Sequence, residues 1–123
     1  DEVPVVKAFV RESPAFSTRY RTELYEMARE AEQLYRTVRA LREEGRAEEA
    51  RALAEANSEK LKARAGLRRA TEAMSQIRAQ MDRVQRAADL TAEEKRARLD
   101  TLIGRRNEIA KAAVERAGVG FRG

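Results

Sequence analysis

From Tyr20 onward, apolar residues recur in alternating steps of four and three: Tyr20, Leu24, Met27, Ala31, Leu34, Val38 and Leu41. A step averaging 3.5 residues holds one narrow stripe of an α-helix against a partner helix. A strand cannot use it, because strand side chains alternate faces with period two. Tyr25 and Tyr35 flank this stripe and widen it. A second stripe has the same rhythm through Ala63, Leu67, Ala70, Met74, Ile77, Met81, Val84 and Ala88. A third, looser face holds Leu99, Leu102, Ile103, Ile109, Ala110, Ala113 and Ala117, interrupted by Arg106. The pattern predicts an all-α protein of long rods zipped side by side.

Composition sets how thick that zip can be. Of 52 apolar residues 23 are Ala, which leaves 29 larger ones in 123. A thick globular core or a buried parallel sheet is excluded. Ala, Arg, Glu, Leu and Lys together make 75 of the residues, the composition of long helices or coiled coils. Ala and Met in the seams favour close, adaptable packing.

Punctuation divides the chain. Residues 1–16 hold both prolines, Pro4 and Pro14, and an apolar cluster with Val3, Val5, Val6, Phe9 and Val10. Pro14 disfavours helix at Ser13, so this stretch reads as a linker or docking arm. Val5, Val6, Phe9 and Val10 would then contact an upstream domain or a partner, or simply cover one end of the bundle. The first long helix is expected from Ser17 or Thr18, either able to cap its free amides, to Glu44. Gly45 suits the left-handed residue that ends it. Ala47, Ala50, Ala54, Asn57 and Leu61 continue the rhythm, which then slips in phase near Asn57–Ala63. That slip predicts a short helix over about 46–56 and a long one over about 58–88.

Thr91-Ala92-Glu93-Glu94 is a capping box, with Leu90 placed as its apolar staple, and it opens the third long helix. Gly118 closes that helix and residues 119–123 form a tail. Glu94→Arg98 and Glu32→Arg36 have the favourable four-residue spacing. At 1.5 Å per residue the long helices reach roughly 40–45 Å, and short connections make neighbours antiparallel. The expectation is an elongated antiparallel three-helix bundle over 17–118 with a short extra helix in the first connection. The chain opens Asp1-Glu2-Val3-Pro4 without an initiator Met, and is read as a piece of a much larger protein. It has no run of 18 apolar residues to span a membrane and no basic-then-apolar secretory signal.

The side chains offer little chemistry. With no Cys and no His there is no thiolate, no imidazole base and no zinc site of the usual ligands. The di-metal site of helical bundles needs Glu-x-x-His and cannot be built. Asp82, Asp89 and Asp100 do not cluster in sequence, and no glycines form a phosphate-cradling loop. No enzyme activity, cofactor or metal is expected.

Charge leaves two further classes open. The net charge is +5. Residues 59–89 carry eight Lys/Arg against four Asp/Glu, and residues 90–123 carry eight against five. Arg64, Arg68, Arg69, Arg105 and Arg106 could contact phosphates in a salt-sensitive way, giving weak, sequence-independent DNA binding. No aromatic is interleaved with them to stack bases, and solubility with intrahelical pairing is the plainer role. The seams could also pair between chains, giving a homo-oligomeric scaffold. Arg106 either sets register in the third seam or snorkels past a narrow edge.

Certain residues resemble a known family. Ser17-Thr18-Arg19-Tyr20, Glu23-Leu24-Tyr25, the Gly45 break, Leu90-Thr91-Ala92-Glu93-Glu94-Lys95-Arg96 and Arg106-Asn107-Glu108-Ile109-Ala110 look like a helical domain of large polyvalent proteins. The lead-in Pro4-Val5-Val6 with Phe9-Val10 is similar too. Such proteins are giant multidomain chains of phages and mobile elements. The resemblance implies an internal virion protein of the DNA-ejection type, carried in the phage head or tail and delivered with DNA into the host envelope or cytoplasm. It implies partners among portal, tail or internal virion proteins or upstream domains of the same chain, and it supplies no catalytic residues.

Overall fold

The backbone breaks fall where the local chemistry puts them. A computed structural model describes residues 3–118, the side chains of Ala15 and Phe16 excepted; the expected 119–123 tail lies outside the described residues. Those residues contain no strand. They form α1 (Pro4–Glu12), α2 (Pro14–Ser17), α3 (Arg21–Glu43), α4 (Ala47–Ala56), α5 (Ser58–Arg86) and α6 (Ala92–Arg116). A 3-10 turn at Thr18–Tyr20 leads into α3.

Pro4 starts α1, where its missing N–H costs nothing. Pro14 forces Ser13 out of helix, at φ −144 and ψ 57. The expected cap at Ser17 or Thr18 is not formed. The Ser17 hydroxyl bonds that of Ser13, and Thr18 Oγ1 donates to the Pro14 carbonyl at 2.6 Å. The chain is already helical before these residues, so their hydroxyls turn back into the preceding turn.

Gly45, at φ +79, ends α3. Its N–H donates to the Arg42 carbonyl at 3.1 Å and that of Arg46 to Leu41 at 2.8 Å, the paired bonds of a Schellman ending. Asn57 separates α4 from α5, with Nδ2 donating to the Leu53 carbonyl at 3.0 Å. The capping box of α6 is complete: Glu94 N–H meets Thr91 Oγ1 at 3.1 Å and Thr91 N–H meets Glu94 Oε1 at 3.0 Å. Gly118 follows α6 at φ +76.

Five helices, α1 and α3 to α6, pack together, with α5 as the shared element. α6 returns antiparallel along it: Lys95 Nζ donates to the Gln85 carbonyl at 3.0 Å, and Arg116 lies against Gly66. α1 and α3 pack on α5 as well, and α4 packs back on α3. Among the described residues α3 and α6 share no comparable face.

The core forms where α1, the start of α3, the middle of α5 and the end of α6 meet. It contains Val3, Val6, Phe9, Tyr20, Leu24, Leu67, Met74 and Val114. Val38, Ile77 and Leu102 are buried in the adjoining seams. Met27 and Ile109 are half-buried against the core, and Leu34, Leu41, Met81, Val84 and Leu99 are half-buried further out.

The reading of residues 1–16 as a linker or arm needs correction. Nine of them form α1, in which Val6 and Phe9 are fully buried and Val5 and Val10 half-buried. Val6 and Phe9 close the core and are not free to dock elsewhere. Glu12, buried at the end of α1, bonds Arg78 of α5 at 3.0 Å and ties the two helices together.

Candidate functional site

Helical spacing brings four arginines to one groove. On α3, Arg29, Glu32, Gln33 and Arg36 share a face through three- and four-residue steps. On α5, Arg64, Arg68, Thr71 and Glu72 form the opposing wall by the same spacing. The start of α1 supplies an apolar lip of Val3, Pro4, Val5 and Ala8. The groove encloses about 1180 Å³.

The arginines differ in how they are held. Arg64 Nε donates to Glu32 Oε1 at 2.5 Å, and its guanidinium lies 4.9 Å from the ring centre of Tyr35. With side-chain exposures of 16% and 22%, Arg64 and Glu32 form the least exposed pair on this face. Arg29 sits 5.8 Å from the ring centre of Tyr25, whose other near cation is Arg21 at 5.6 Å. Glu32 therefore does not serve Arg36, as its four-residue spacing suggests, but a residue on another helix. Among the described residues no carboxylate reaches Arg36 or Arg68, and both are exposed.

Of the five arginines proposed to contact phosphate, only Arg64 and Arg68 line this groove. Arg69 is exposed beside it in sequence but not among its walls, and Arg105 is exposed on α6. Arg106 is half-buried, and its Nε is enclosed without a hydrogen-bond partner among the described residues. The groove adds Arg29 and Arg36, which sequence reasoning passed over. Their seven-residue spacing beside the first stripe was the available signal, hidden by the even charge balance of that helix.

A second, smaller groove of about 570 Å³ lies at the α5–α6 turn, where Val84, Leu90 and Leu102 are flanked by Arg83, Asp89 and Arg98. Among the described residues two ionisable groups stand away from their ordinary values, both at helix ends. The backbone N–H and then the hydroxyl of Thr91, with Arg98 beyond, hold the Glu94 carboxyl below the usual range. Arg46 donates hydrogen bonds to the Glu49 and Glu44 carboxylates, which favour its charged form and raise its pKa. Both are helix-end devices rather than parts of a reactive site. Among the described residues no three acidic side chains gather as a metal would need, and no helix is long and apolar enough to cross a membrane.

Comparison with protein-family models, curated proteins and solved structures returns no match for this chain.

Proposed function

We propose that this chain is a non-enzymatic docking module. In this reading α3, α5 and α6 act as one elongated antiparallel three-helix bundle centred on α5, which α3 and α6 each flank, with α4 in its first connection, and its surfaces assemble with other chains. One observation carries it. The largest buried cluster lies at the junction of α1, α3, α5 and α6, while along the seams to either side Leu34, Leu41, Met81, Val84 and Leu99 remain half-buried among the buried Val38, Ile77 and Leu102. Apolar residues left half-covered on a regular stripe are what a further helix would cover.

The resemblance to helical domains of large polyvalent proteins extends the proposal to a context. The module belongs to an internal virion protein of the DNA-ejection type, meets portal, tail or internal virion proteins, and enters the host with phage DNA. Physical properties support this role. A chain threaded through a tail channel must unfold and refold, and helical folds with mainly local contacts refold in microseconds to milliseconds. The chain has no cysteine, so no disulfide must be broken or remade.

The test is mass spectrometry of nuclease-treated, purified particles of the source phage, together with stopped-flow refolding of the isolated chain. Peptides of the parent chain within particles and refolding in milliseconds are expected. Peptides found only in infected-cell lysate, or refolding slower than seconds, would overturn the virion reading.

A further inference from the structure

We infer that the groove between α1, α3 and α5 is the docking site for an acidic, amphipathic segment of a partner chain. This rests on the docking reading above and names the chemistry of the partner. Arg36 and Arg68 are the decisive residues. They stand on opposite walls of one groove, and no described carboxylate reaches either. The local partner of Arg36 is lost because Glu32 is taken up by Arg64 across the helix interface. The fold thus leaves two forked guanidinium donors facing one cleft, and a carboxylate is the planar acceptor that matches each.

The rest of the groove distinguishes a peptide from a nucleic acid. The apolar lip at Pro4 and Val5 offers contact to aliphatic side chains and nothing to a phosphate backbone. Glu32 and Glu72 interrupt the positive walls. A continuous row of phosphates would meet them, whereas a peptide can place a neutral or basic residue there. The aromatic faces are also occupied, Tyr35 by Arg64 and Tyr25 by Arg21 and Arg29, so bases find no free platform to stack on. A segment with carboxylates on one face and aliphatic side chains beside them satisfies both walls and the lip.

Fluorescence anisotropy with the full chain tests this. The probe is a labelled helical peptide of glutamate and leucine, with glutamates four residues apart. Its lysine/leucine counterpart and a random-sequence DNA duplex are measured beside it. The glutamate peptide is expected to bind, more weakly as salt rises. The double variant Arg36→Glu/Arg68→Glu should weaken it by at least about tenfold, and Val5→Asp should weaken it also. Arg105→Glu, off the groove, should leave affinity within about twofold. Arg36 and Arg68 are exposed, so the double variant should keep its helical circular dichroism. No binding of the glutamate peptide, equal binding of the lysine peptide, or equal loss in Arg105→Glu would overturn the assignment. Tighter binding of the duplex, lost in the double variant, would assign the groove to nucleic acid instead. Each of these outcomes leaves the virion reading to its own particle experiment, so the two fail separately.

Discussion

Replacing Phe9 with Ala separates a core helix from a docking arm. Phe9 is fully buried in α1, within a cluster that includes Val6, Leu24, Leu67 and Met74. An aromatic side chain buries roughly 150–250 Å². At about 25 cal/mol per Å² that corresponds to about 4–6 kcal/mol, part of which the remaining Ala retains. Core Phe→Ala changes typically cost about 3–5 kcal/mol. A domain of this length is expected to be stable by about 6–18 kcal/mol, so the loss would be a large fraction. It would lower the melting temperature by roughly 12–20 °C. Urea denaturation followed by circular dichroism measures this directly, with an unchanged slope showing that the transition remains one cooperative event. Val10→Ala, at a half-buried position of the same helix, should cost clearly less. A loss below about 1 kcal/mol for Phe9→Ala would refute the reasoning, because it would mean that α1 lies outside the cooperative core.

Other perturbations probe the rest of the fold. Gly45→Ala should cost about 1–2 kcal/mol, since the left-handed φ of +79 must be kept and no atom lies near enough to oppose the added methyl sterically. Equilibrium unfolding that matched wild type would mean α3 ends another way. Leu102→Ala, at a buried seam position of α6, should cost about 2–5 kcal/mol, whereas Tyr35→Ala, at 46% exposure, should cost much less; reversed ranks in a thermal melt would contradict the seam. Thr91→Ala removes the cap of α6 and should cost about 1 kcal/mol by urea titration. Folding lowers the Glu94 pKa from its ordinary value of 4.5. Its contribution is therefore present above that value and disappears as pH falls through the lowered folded one. Glu94→Gln should flatten the stability–pH slope across that acidic window and leave it unchanged near neutrality.

Much of the helical framework could be read from residues near one another in sequence. The stripes from Tyr20 to Leu41 and from Ala63 to Ile77 mark faces that are buried or half-buried. The phase slip near Asn57 and the glycines at 45 and 118 mark real interruptions. α1 was not legible. Val3, Val6 and Val10 do step by three and four behind Pro4, but over a run this short between two prolines the period was outweighed, and a helix of nine residues is stable only through its packing on a neighbour. Val114 is fully buried, yet Arg106 breaks the apolar face of α6 and obscures which of its residues point inward. The groove was legible only in fragments, because Arg64 and Arg68 come from one helix and Arg29 and Arg36 from another.

The sequence by itself determined the helices from α3 to α6, the breaks between them and the faces that α3 and α5 bury, because step length, capping and the sign of φ are settled within a few residues. Tertiary structure alone decided which helices became neighbours. It folded α1 into the core, gave Glu32 to Arg64 in place of Arg36, and set Arg36 and Arg68, which no described carboxylate reaches, on opposite walls of one cleft. Those outcomes depend on distances between residues remote in sequence. Burial rewards whichever partner best matches a site in shape and charge, and no local pattern encodes that competition.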